Sequence, residues 1–129
     1  MSHSVDIKTQ FRNLNNLLEQ FKALGWKIEM NTKCTTYPSD PRRGEIHKYV
    51  AKNPKSTGYD VGVNLDDEGN AYFVCDFFDH SIEQSLGKNL QKVKQGYALT
   101  EIKKRLREED LEYKVNELPT GELVVIAEK

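Results

Sequence analysis

Hydrophobic positions in this chain come mostly in short alternating runs divided by turn-forming clusters, with two longer stretches at helical spacing. The segment 58–78 sets the pattern. Two apolar-rich runs, Tyr59–Leu65 and Ala71–Phe78, flank Asp66-Asp67-Glu68-Gly69-Asn70, a turn cluster whose glycine can adopt positive φ. This predicts a β-hairpin. Tyr59, Val61, Val63 and Leu65 share one side of the first run, opposite Asp60, Gly62 and Asn64. The second run has apolar groups on both sides, so the hairpin is expected near the middle of a sheet covered on both faces.

Around this hairpin the remaining elements read in order. Residues 3–9 form a short first strand with Val5 and Ile7 on one side. Asn13 suits an N-cap, and Leu14, Leu17, Leu18, Phe21 and Leu24 form one helical stripe closed by Gly25. Trp26-Lys27-Ile28-Glu29-Met30 alternates as a strand with Trp26, Ile28 and Met30 inward. Residues 31–44, with Pro38, Pro41 and Gly44, read as a loop that no regular element crosses. Ile46–Lys52 is a strand and 53–58 a turn.

A second helix is expected over 83–108, and its apolar residues fall on two sides. Leu86, Leu90, Val93 and Tyr97 make one stripe, and Ala98, Leu99, Ile102 and Leu106 centre near the opposite one. Either Gly96 kinks the helix or a straight helix buries both stripes. Glu112–Leu118 and Leu123–Ala127 flank Pro119-Thr120-Gly121-Glu122 as a terminal hairpin. The order β-α-β-β-β-β-α-β-β predicts an α+β two-layer sandwich, a mainly antiparallel sheet with two helices packed on one face.

At 129 residues, 37% apolar and 30% charged, the chain fits one soluble domain over 1–129 rather than a disordered tract. The start lacks the apolar core of a signal peptide and no stretch is long enough to span a membrane, which points to the cytoplasm. Without an export signal, Cys34 and Cys75 read as reduced thiols. Net charge is −1, but blocks of +4 (31–58), −7 (59–86), +5 (87–108) and −4 (109–129) alternate along the chain. The expectation is that opposite blocks merge on folding.

Three surfaces carry candidate chemistry. The first is a protein-binding or adaptor surface, a site for a protein partner or a second copy, on Leu99, Ile102 and Leu106 of the second stripe or on the aromatic pair Phe77-Phe78. The alternative is single-stranded nucleic acid, with phosphates met by Arg42, Arg43, Lys48 and Lys52 and bases stacked on Tyr49, with Tyr37 nearby. Third is a divalent metal or acid–base centre on Asp76, Asp79 and His80, with His3 or His47 converging. Cys34, next to the loop, is the more reactive thiol of the two, whereas Cys75 packs as a small aliphatic group. No dinucleotide fingerprint, phosphate loop, nucleophile elbow or zinc-protease helix occurs, so the motifs favour a non-enzymatic module with no cofactor.

Met1-Ser2-His3 followed by Ile7-Lys8-Thr9, then Gly58-Tyr59-Asp60-Val61-Gly62, Asp76 with its aromatic pair, and Gln95-x-Tyr97-Ala98 occur in an order that resembles the hypothetical chloroplast reading frame thirty-five family. That family comprises small cyanobacterial, plastid and cyanophage proteins with a domain of unknown function. Ser4 stands where the family often has an aromatic, and Phe77 and Phe78 where it usually has tryptophans, which marks a divergent member. The resemblance implies a cyanobacterial or phage-infected cell, or the plastid stroma, as the compartment. It carries over no catalytic residue.

Overall fold

A computed structural model describes residues 4–128. The Met1-Ser2-His3 motif, His3 and the beginning of the strand expected over 3–9 lie outside the described residues. The chain divides into two compact units, residues 1–93 and 94–129.

In the first unit, β1 (Val5–Lys8), β2 (Lys27–Lys33), β3 (Ile46–Lys52), β4 (Val61–Leu65) and β5 (Ala71–Cys75) form one antiparallel sheet in the order β1-β5-β4-β3-β2. The β4–β5 hairpin is interior, as its two-sided apolar pattern requires. Its turn is closed by Asp66, whose Oδ1 accepts from the amides of Glu68 and Asn70, with Gly69 at φ +83°. The register sets Ile7, Phe73, Val63 and Tyr49 in one row and Asp6, Val74, Gly62 and Val50 in the next. These rows face opposite sides.

Helix α1 (Leu14–Ala23) covers the side that carries Phe73. Its N-cap is Asn13, whose side chain accepts from the Asn16 amide at 3.2 Å, and Gly25 follows at φ +90°. Phe21 meets Phe73 edge-on at 5.9 Å and Trp26 at 6.4 Å. Full burial of Phe21, Phe73 and Trp26 contributes about 1.5–3 kcal/mol each. Helix α2 (His80–Leu86) joins the same layer through Ser85, whose hydroxyl accepts from the Trp26 indole at 2.7 Å. Met30, expected inward, is instead 61% exposed, because β2 is the sheet's outer strand.

The opposite face is covered by the polar loop. β2 runs to Lys33, so the element-free stretch is shorter than 31–44. Beyond it Thr35 is tied to Asp60 twice, its amide donating to the carboxylate Oδ2 at 2.7 Å and its carbonyl accepting from the Asp60 amide at 2.9 Å. Asp40 accepts from the Ser4 hydroxyl, and Arg42 meets Asp6 at 2.6 Å. Asp6 shares its row with Val74, Gly62 and Val50, so the loop spans that face from β4 to β1. Val50 and Val74 are accordingly buried.

The expected helix 83–108 is two helices. α2 ends at Leu86, a short 3₁₀ turn occupies Lys88–Leu90, and α3 runs from Gln91 to Glu108. The break is at Gly87 (φ +82°) and Asn89 (φ +53°), not at Gly96, which lies inside α3. Glycine takes this backbone region without steric cost and asparagine tolerates it. Leu86, Leu90 and Val93 are fully buried, as the first stripe predicted.

In the second unit, α3 ends in a Schellman arrangement. Leu111 N–H donates to the Leu106 carbonyl and Asp110 N–H to that of Arg107, with Asp110 at φ +58°. β6 (Glu112–Glu117) and β7 (Leu123–Glu128) then pair antiparallel as a separate two-stranded sheet, not as part of one continuous sheet. Their turn is the predicted one, closed by Leu118 and Glu122, with Gly121 at φ +87°.

Candidate functional site

The α3 stripe of Ala98, Leu99 and Ile102 opens into a groove of about 260 Å³. One wall is Gln95, Ala98, Leu99 and Ile102, spaced along one face of α3. The other is Glu122, Leu123 and Val125, where Leu123 and Val125 share one side of β7. Gln95 donates from Nε2 to the Gly121 carbonyl at 3.2 Å and ties the helix to the turn. Ile102 is 42% exposed and Leu99 half-buried, while Leu106 is buried. The second stripe is thus only partly covered, and Leu106 belongs to the packed interior rather than to an open surface.

Phe78 is exposed, with its ring edge-on to Tyr37 at 5.8 Å, and Phe77 is half-buried. Phe78 also lines a more polar hollow with Lys55, Tyr59, Asp79 and His80.

Within the basic–aromatic set, two of the cations contact carboxylates of the chain itself. Arg42 bonds Asp6 and, through Nε and Nη2, both carboxylate oxygens of Glu45 at 2.9 and 2.8 Å. Hydrogen bonding from Arg42 holds the Glu45 carboxyl below its usual range. Lys52 is bound to Asp60 Oδ2 at 3.2 Å. Two of the four cations are therefore matched by carboxylates within the fold, Lys52 by one from the acidic block. Lys48 and Arg43 remain on the surface, with Lys48 Nζ 6.0 Å from the Tyr49 ring centre.

Asp76, Asp79 and His80 do not converge. Among the described residues no three His, Cys, Asp or Glu side chains gather as metal ligands. Asp79 caps α2 and accepts from the Ser81 amide (3.0 Å), the Ser81 hydroxyl (2.7 Å) and the Tyr59 amide (2.5 Å). Partial burial pushes its pKa up, but these bonds outweigh that and hold the carboxyl below its usual range. Asp76 is buried, its Oδ1 accepting from the Phe78 amide and its Oδ2 without a hydrogen-bond partner among the described residues. His80 is exposed. His47 is buried elsewhere, its ring against Gly62, and desolvation holds its pKa down. Asn64 Oδ1 accepts from the Lys48 amide, so Asn64 Nδ2 is the group that faces His47 Nδ1, at 2.9 Å. Nδ1 therefore accepts, and the imidazole is neutral.

Cys34 and Cys75 are both buried, and neither forms a disulfide. Burial raises the Cys34 thiol to about 12, which holds it protonated, and Cys75 is buried more completely still.

These features define an α+β protein whose ionisable groups largely hold loops and caps, and whose second unit carries an apolar groove beside a sheet edge. Comparisons with protein-family models, with curated proteins and with solved structures find no match. Among the described residues no helix is long and apolar enough to cross a membrane. Sequence reasoning found the helix wall of the groove but missed Leu123 and Val125. Their signal was the unbroken run Leu123-Val124-Val125-Ile126-Ala127, which is more than a one-sided strand needs.

Proposed function

We propose that this chain is a non-enzymatic protein-binding, adaptor-type module, and that the α3–β7 groove is its binding surface. The observation that carries this reading is the groove itself. Helical apolar residues at three- and four-residue spacing face two alternating strand residues, and Ile102 is left 42% exposed. Such a cleft suits an extended segment laid beside β7, with main-chain bonds supplying affinity and alternate apolar side chains entering the groove. The resemblance to the chloroplast reading frame family, with its cyanobacterial, phage or plastid setting, belongs to this proposal and adds no chemistry to it.

The test is selection of extended peptides from a random display library against the whole protein. Enriched sequences should carry apolar residues at alternate positions, and Ile102→Asp should abolish their binding without changing the far-UV circular dichroism. Binding that survives Ile102→Asp, or no enrichment, overturns the assignment.

A further inference from the structure

Arg42 and Arg43 are neighbours with different surroundings. Arg42 is bound to Asp6 and Glu45, whereas Arg43 makes no ion pair among the described residues. Arg43 lines a hollow of about 230 Å³ together with Lys33, Cys34, Thr35 and Thr36. Four consecutive residues make one wall, so the hollow follows the backbone of the segment that leaves β2. Both sides are fixed in place. Thr35 is held to Asp60 through its amide and its carbonyl. Arg43 N–H donates to the Asp40 carbonyl at 3.0 Å, and the buried Asp40 side chain accepts from the Arg42 amide and the Ser4 hydroxyl.

The hollow is electropositive. Lys33 and Arg43 are exposed, and no carboxylate among the described residues pairs with either. Lys52 Nζ reaches the Lys33 carbonyl at 3.3 Å, which brings a third cation to the same wall. The carboxylates whose charge reaches Cys34 are Asp60 and Glu45, and each is already bound, Asp60 to Lys52 and Glu45 to Arg42. Cys34 adds no negative charge, because burial keeps its thiol protonated. In the same wall Thr36 is only 8% exposed, and its hydroxyl has no hydrogen-bond partner among the described residues. A buried polar group without a partner is uncommon in folded proteins and marks a place for an ion or a water.

We propose that this hollow binds one phosphate-type oxyanion, as the free ion or as the terminal group of a small phosphomonoester. The planar guanidinium of Arg43 meets two oxygens side by side, and the Lys33 ammonium supplies a point charge on a flexible stem. A third oxygen accepts from the Thr36 hydroxyl, which gives that hydroxyl the partner it lacks. The volume is below the about 300–1,000 Å³ usual for drug-sized ligands, so the site fits one anionic group rather than a run of phosphates. It lies in the first unit and stands independently of the groove on α3 and β7.

Amide proton–nitrogen spectra of the whole chain, titrated with inorganic phosphate at constant ionic strength, test this. The Thr35, Thr36 and Arg43 amides should shift and saturate, and acetate at the same ionic strength should not reproduce the shifts. Arg43→Gln, at an exposed position, should keep the fold and weaken phosphate about tenfold or more, since charged hydrogen bonds are lost. Lys48→Gln removes an exposed cation that does not line the hollow, and should leave the affinity unchanged. Thr36→Val separates binding from a structural role. It removes a buried hydroxyl without a partner, so in urea without phosphate the variant should be no less stable than the native protein, while phosphate affinity falls. A parallel titration with methyl phosphate tells the two sources apart: tighter binding than inorganic phosphate supports the ester, and weaker binding the free ion. Shifts that do not saturate, or that acetate reproduces, overturn the proposal. So does an affinity unchanged in Arg43→Gln or Thr36→Val, or lowered as much by Lys48→Gln.

Discussion

Gly62 sits in β4 between Val50 and Val74, and its lack of a side chain admits the His47 ring. A Cβ at Gly62 would lie 2.8 Å from His47 Cγ and Nδ1. Ordinary carbon contacts are about 3.5–4.0 Å, so the ring must move by about 1 Å. His47 is 2% exposed and has little room to move. Moving it also breaks the Nδ1 contact with Asn64, a loss of about 1 kcal/mol. Overpacking in a filled interior costs about 1–3 kcal/mol. Against this, alanine narrows the unfolded ensemble by about 0.4–1 kcal/mol relative to glycine. The balance for Gly62→Ala is a destabilisation of about 1–3 kcal/mol, dominated by the clash. Urea unfolding should show a lower midpoint with an unchanged slope. In a double-mutant cycle, His47→Ala should relieve the alanine at position 62, with a coupling of about 1 kcal/mol or more. Additive single effects, or a Gly62→Ala variant as stable as the native protein, would refute the packing of His47 on Gly62.

Further outcomes follow from other contacts. Asp79→Ala removes the cap of α2, a loss of about 1–2 kcal/mol, and leaves the Tyr59 amide without its acceptor, so thermal unfolding should shift down while Asp79→Asn retains part of the loss. For His47 the folded pKa lies below the unfolded one, so the unfolded chain binds the proton first; stability is full above about pH 6.5 and falls as pH drops from there towards the folded pKa. His47→Gln should remove that slope in urea midpoints measured across pH. Glu45 and Asp79 act in a lower window, since their depressed pKa values give stability present above about pH 4 and lost as pH falls through the folded values. Iodoacetamide should leave Cys34 unmodified in the native protein and react with it after denaturation; rapid native labelling at Cys34 would contradict its burial.

The sequence made local elements legible wherever one residue type has one backbone use. Asn13 and Gly25 bounded α1, and Gly69 and Gly121 marked the two hairpin turns. It was less informative where two readings share one composition. Gly96 and Gly87 both lie in the window read as one helix, and only Gly87 takes positive φ. The neighbouring Asn89 was the signal that separated them. The polar loop read as solvated because its covering role depends on Asp40 and Arg42 meeting Ser4 and Asp6, residues far away in sequence. For the same reason Arg42 and Lys52 looked available to a phosphate, although Asp6, Glu45 and Asp60 already neutralise them. Leu99 and Ile102 were found by their spacing, but the strand wall opposite them depends on a tertiary contact that no local pattern encodes.

The most direct test is methyl nuclear magnetic resonance of the whole chain titrated with an extended peptide enriched in the display selection, carrying apolar residues at alternate positions. The account expects saturable shifts of the Leu99, Ile102, Leu123 and Val125 methyl signals, while those of Val50, Val61 and Val63 in the five-stranded sheet stay in place. A titration that leaves the groove methyls unmoved, or moves both groups alike, would contradict the assignment of this groove as the binding surface.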